Sequence, residues 1–110
     1  MTSYSEKLLQ IRKKFLTGLD DRIETIETLL QQATAGAAAT GKELHLAFHD
    51  TVGNAAMLGF DDIAEEARAA VNLVEGPANS GEPVPLDRLA ALETHAASIR
   101  QLKTIHESAS

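Results

Sequence analysis

Apolar residues return every three or four positions along nearly all of this 110-residue chain, and no stretch alternates with the period of two that a strand needs. Leu8, Ile11 and Phe15 open the pattern, and Leu19, Ile23, Ile26, Leu30 and Ala33 continue it as one stripe. Gly18-Leu19-Asp20 is the place for a kink or break, which would divide a short leading helix from a longer one. Gly36 to Gly41, filled by alanines and Thr40, forms the first connection, because glycine stops helices and Thr40 can cap the next one.

A second helix is expected from about Lys42 to Leu58, with Leu44, Ala47, Phe48, Thr51, Ala55 and Leu58 as its buried stripe. Gly59 terminates it, Phe60 follows as an apolar anchor, and Met57 is assigned to the core. Asp61 is placed to cap a third helix whose core face is Ile63, Ala67, Ala70, Val71 and Val74. Asp62, Glu65 and Glu66 put negative charge into its first turns, where the helix dipole favours it. Gly76-Pro77 is expected to end this helix, leaving residues 77–85 as a loop. The last helix starts near Pro85 and carries Leu86, Leu89, Leu92, Ala96, Ile99, Leu102 and Ile105. Each helix has one apolar stripe and none is hydrophobic all round. An all-α, antiparallel up-and-down four-helix bundle follows, with a short extra N-terminal helix if the chain breaks at Gly18. Residues 1–110 are read as one domain.

Composition removes several functions. Cysteine is absent, so disulfides, cysteine-ligated zinc and thiol chemistry are excluded. The net charge of −6 and the scattered basic residues, Arg12-Lys13-Lys14 apart, speak against nucleic acid as a partner. No apolar run approaches the roughly 20 residues that span a bilayer, and the charges among residues 1–15 are wrong for a secretory signal. The expectation is a cytoplasmic protein without membrane contact. Tryptophan is absent and the aromatic rings are few, which disfavours a large aromatic-lined pocket.

The chemistry-bearing segment is Phe48-His49-Asp50-Thr51-Val52-Gly53, with Gly59-Phe60 shortly after it. Residues four apart share a helix face, so Gly53 is the neighbour that would otherwise crowd His49. Glycine inside a helix costs about 1 kcal/mol against alanine, so it needs a reason. His49 lies off the apolar stripe, on a face shared with His45, Val52, Gly53 and Ala56. Those residues are mostly small or flat and make a docking surface rather than a pocket. His45 and His49 alone are too few for a metal, and no third ligand is in view. His95 and His106 are read as surface residues, and the Asp61, Asp62, Glu65, Glu66 cluster as a solvated helix start rather than a catalytic pair.

The spacing His49-x-x-x-Gly53-x-x-x-x-x-Gly59-Phe60 resembles that of the histidine-containing phosphotransfer (HPt) domains of two-component signalling. The segments Phe15-Leu16-x-x-Leu19-x-x-Arg22-Ile23 and Ile63-x-x-x-Ala67-x-x-x-Val71 extend the resemblance over most of the chain. It implies that His49 accepts a phosphoryl group on its outer ring nitrogen and exchanges it with an aspartate of a response-regulator receiver domain, a histidine kinase standing upstream. Histidine suits this work because a neutral, nucleophilic imidazole is present near neutral pH. The resemblance also implies no cofactor of the chain's own; the Mg²⁺ belongs to the partner receiver. The expected form is a monomer, with the receiver docking over His45, Val52, Gly53 and Ala56 and over Ala64 and Arg68 of the third helix.

Two positions depart from the family pattern: Val52 stands where a lysine is common, and Val71 where a glutamate or glutamine often holds the inner ring nitrogen. A phosphorylation-deficient adaptor that still binds receivers is therefore one alternative. Another comes from His49-Asp50-Thr51-Val52-Gly53-Asn54, which resembles the phosphoacceptor box of one class of sensor-kinase dimerisation domains. That resemblance implies that Asp50 acts as a base and Asn54 assists dephosphorylation. Adjacent helix residues diverge by about 100°, so Asp50 need not reach the ring. Those kinase domains are dimerising two-helix hairpins, whereas this chain supplies four amphipathic helices of its own.

Overall fold

The computed structural model describes residues 2–36 and 40–109, with side chains from Tyr4 onward. Four α-helices account for almost all of them: α1 (Thr2–Thr34), α2 (Thr40–Met57), α3 (Asp61–Ser80) and α4 (Leu86–Ala109). α1 packs on α2 and α4, and α3 packs on the same two, while among the described residues the backbones of diagonal helices stay apart. Short connections between successive helices make neighbours antiparallel, which is the expected up-and-down bundle. Leu16, Leu19, Ile23, Ile26 and Leu30 of α1 meet Leu44, Phe48 and Ala55 of α2 in the core. Ile63, Ala67, Ala70 and Val74 of α3 and Leu89, Leu92, Ala96 and Ile99 of α4 complete it. Thr51 is fully buried among them, its hydroxyl satisfied by donating to the Ala47 carbonyl at 2.9 Å.

Several expectations need correction. α1 runs unbroken through Gly18, because Leu16 and Leu19 on either side are both buried and hold it in register. That burial outweighs the propensity cost of one glycine. Nothing in the structure requires glycine at position 18. With 33 residues at about 1.5 Å each, α1 sets the 51 Å length of the molecule and overhangs the shorter α2 and α3. Leu8 and Ile11 are exposed rather than core, and so is Met57 at the last turn of α2. Leu86 and Ile105 also face outward, near the two ends of α4.

α2 begins at the buried Thr40; the alanines of the preceding connection, residues 37–39, lie outside the described residues. Its other end closes as the sequence implies. Gly59 takes a φ of 83°, its N–H donates to the Ala56 carbonyl at 3.2 Å, and the Phe60 N–H donates to the Ala55 carbonyl at 2.8 Å. This crossed pair satisfies the last carbonyls of α2 and needs the left-handed backbone that glycine adopts without strain. Phe60 is then driven inward, stacked on Phe15 at 5.6 Å, with the Arg12 guanidinium 4.6 Å above its ring. The N-cap of α3 is Phe60 itself, not Asp61, and no side chain caps it.

α3 also outlasts its predicted stop. It continues through Pro77 to Ser80 and ends at Gly81, whose φ is 75° and whose N–H donates to the Pro77 carbonyl at 2.9 Å. The loop is accordingly shorter than expected, and α4 follows directly on Pro85.

Candidate functional site

Among the described residues the backbone of α2 lies beside those of α1 and α3 alone, so it has two flanks. Phe48 and Thr51 point into the core, and each residue turns the helix by about 100°. His45, His49, Val52 and Ala56 therefore share one flank, while Glu43, Ala47, Asp50 and Asn54 share the other. An ion pair identifies the second flank as that of α1: Asp50 Oδ2 lies 3.7 Å from Arg22 Nη1. The His49 flank is consequently the one beside α3.

His49 is exposed, and neither of its ring nitrogens has a hydrogen-bond partner among the described residues. Its one ring contact is with His45, which is half-buried; the rings are stacked at a centroid distance of 5.9 Å and an interplanar angle of 18°. Gly53, one turn further on, is exposed, and a Cβ built there meets nothing within 4 Å. The fold has room for a side chain at 53, and adding one would favour the helix by about 1 kcal/mol. Glycine at this position leaves bare backbone beside the imidazole without serving the packing. Ala56 continues the open strip, while Val52 is half-buried against the core.

Across the seam, Asp62, Glu66 and Leu73 of α3 all bond to α4. Arg68 is two positions on from Glu66, a turn of about 200°, so it lies on the opposite flank, toward α2. Equal counts of residues on either side of the Gly59–Phe60 turn set Arg68 about level with Val52 and Val71 about level with His49. Arg68 is exposed and makes no ion pair among the described residues. Ala64 is only 3% exposed and belongs to the core, so it offers a partner almost no surface. Val71 is buried at 9% and presents no polar atom to His49.

Asp50 and Asn54 are not brought to the imidazole. Both face the α1–α2 side, where two open clefts run along the seam. One, of about 350 Å³, is lined by Ile11, Lys14, Phe15, Arg22, Asn54 and Leu58. The other, of about 520 Å³, is lined by Arg22, Thr25, Leu29, Glu43, Leu46 and Asp50, among others. Neither cleft is enclosed, and neither gathers convergent catalytic groups. Among the described residues, no three histidine or acidic side chains are grouped to hold a metal ion, and no helix is long and apolar enough to cross a membrane.

A model of the Hpt domain family matches residues 10–103. The chain belongs to the Hpt domain family. Neither the curated proteins nor the solved structures yield a match. Membership supports a role in phosphorelay signalling, in which Hpt domains work with receiver and kinase domains. The matched span includes all of α2 and α3, and hence the whole strip from His45 to Arg68.

The two remaining histidines of this Hpt domain have partners that spacing alone did not reveal. His95 Nδ1 lies 2.7 Å from Glu66 Oε1, and His106 Nε2 lies 3.0 Å from both Asp62 oxygens while its ring meets Phe60 edge-on at 4.8 Å. Both pairs tie α4 to α3 and stand away from His49. Partial burial works to raise the Asp62 carboxyl, but the hydrogen bonds from His106 and the Ile63 amide, with the nearby His106 charge, outweigh it and hold Asp62 below its ordinary range.

Proposed function

We propose that this domain is a phosphorelay intermediate whose phosphoacceptor is His49. The observation that carries the reading is the exposed, unbonded imidazole beside a glycine that the packing does not require. In the step itself, the lone pair on the outer nitrogen of neutral His49 attacks the phosphorus of a receiver's aspartyl phosphate. The N–P bond forms as the P–O bond to the carboxyl breaks, and the aspartate leaves as a carboxylate. The proton on the inner ring nitrogen stays with the phosphorylated ring until water removes it, and the reverse sequence returns the group. The chain adds position and access; the receiver's acidic residues would hold the Mg²⁺, and that cation would neutralise the moving charge.

The receiver docks along the open strip of His45, Val52, Gly53 and Ala56. Arg68 stands on the α3 side as an exposed cation, and Ala64 contributes only by keeping the seam shallow. A small, mostly flat surface fits a relay that must release its partner.

The test is phosphoryl labelling. The intact chain, incubated with a receiver charged by acetyl phosphate, should acquire an acid-labile, base-stable label that His49→Gln abolishes. Gly53→Lys should remain folded, because the site is open, yet lose transfer by an order of magnitude or more. A chain that binds the receiver without acquiring label would be an adaptor, and normal transfer by Gly53→Lys would remove the clearance argument.

A further inference from the structure

His45 precedes His49 by one turn of α2, and their rings lie face to face, 18° from parallel with centroids 5.9 Å apart. Aromatic rings attract at such offset separations. Among the described residues the His49 ring has no other ring contact and no hydrogen-bond partner, and neither Val52 on the same flank nor Val71, about level with it on α3, has a side-chain polar atom to offer. An exposed imidazole held by nothing rotates among staggered positions about χ1 and broadly about χ2. Only part of that spread aims the outer nitrogen at an incoming phosphorus, and misalignment is costly in rate. His45 is itself half-buried, so it is the steadier of the two rings.

We propose that His45 is a positioning residue for phosphoryl transfer, holding the His49 imidazole by ring stacking in the orientation that docking with a receiver requires. The proposal rests on His49 being the phosphoacceptor. His45 forms no bond to phosphorus and gains or loses no proton; the N–P bond forms on His49 and the P–O bond breaks on the receiver side, as described above. Its contribution is to reduce the orientations that must be searched once the receiver is in place. The requirement is for a flat ring at position 45, not for an imidazole.

The experiment compares the intact chain with His45→Ala and His45→Phe, using two phosphoryl donors. One is a receiver domain charged with acetyl phosphate, and the other is phosphoramidate, a small donor that can approach from any direction. His45→Ala should slow transfer from saturating receiver by about threefold to tenfold, the factor an ordinary aromatic contact can supply. His45→Phe should restore it, and labelling of His49 by phosphoramidate should be equal in all three proteins. The His49 ring-proton resonances should shift on loss of the stack in His45→Ala and stay shielded in His45→Phe. Equal losses in the two variants, a change confined to the receiver concentration needed for half-maximal rate, or no loss at all would overturn the proposal. Absence of any label on His49 from either donor would instead remove the phosphoacceptor reading, and the positioning role with it.

Discussion

Arg88 donates a hydrogen bond from Nη1 to the carbonyl oxygen of Leu73 at 3.3 Å, the acceptor that Pro77 leaves without its helical donor. Proline has no N–H, so position 77 breaks the ladder of α3 at position 73, and a guanidinium from the next helix fills the gap. Arg88→Ala is expected to lower stability by about 0.5–1.5 kcal/mol, the range of one net hydrogen bond. In a Pro77→Ala background the alanine N–H takes the same carbonyl, and the cost of Arg88→Ala should largely vanish. A double-mutant cycle by urea unfolding measures this coupling. Equal costs in both backgrounds would mean that the bond contributes nothing to α3.

That pair also shows where the sequence could and could not be read. Helix number, the stripes of α2 and α3, the Gly59 terminus and the outward phase of His49 all follow from spacing of three and four, because they depend on residues within one turn of each other. Gly76-Pro77 reads as a stop by the same local rules, but Arg88, fifteen residues along the chain from the Leu73 carbonyl, supplies what the proline removes. Gly18 reads as a break for the same reason and is overruled by buried Leu16 and Leu19. The partners of His95 and His106 lie on another helix, out of reach of any periodicity. At the site, the placing of Asp50 and Asn54 on the flank away from His49 follows from helix phase, yet that this flank faces α1 is set by tertiary packing and shown by the Arg22 contact.

Lys103 is nearly buried against α1, with its ammonium 2.7 Å from Asp20 and 3.0 Å from Glu107. The hydrogen bond to Asp20, then that to Glu107, raise the Lys103 pKa above its ordinary 10.5, against the opposing pull of burial. A folded-state pKa above the unfolded one means stability fully present below pH 10.5 and lost as pH rises through the folded value. Asp20→Asn should cost about 1–2 kcal/mol at neutral pH, less than a fully buried broken pair because Glu107 remains and Asp20 is half-exposed. The difference between the two proteins should shrink above pH 10.5. Urea unfolding at neutral and strongly alkaline pH decides the matter, and a difference that stays constant would show that the ammonium is not its source.

The phosphatase reading of the His49-Asp50-Thr51-Val52-Gly53-Asn54 segment requires Asp50 and Asn54 to act on the phosphorylated ring or on water beside it. Helix phase sets both on the flank opposite His49, with Asp50 held toward Arg22 and Asn54 lining the α1–α2 cleft. Asp50→Ala and Asn54→Ala, separately or together, should therefore change the transfer rate and the phosphohistidine lifetime by less than about twofold. Their cost in stability should be small as well, since the Arg22 pair is long and solvent-exposed and such pairs contribute about 0–1 kcal/mol. The measurement is loss of label from His49 over time, alone and with a receiver present. A tenfold longer lifetime in Asn54→Ala, or a tenfold slower transfer in Asp50→Ala, would show that these side chains reach the ring. In that event the α2 flanks would have to reorganise on phosphorylation, and the sensor-kinase likeness of the segment would become the better guide to its chemistry.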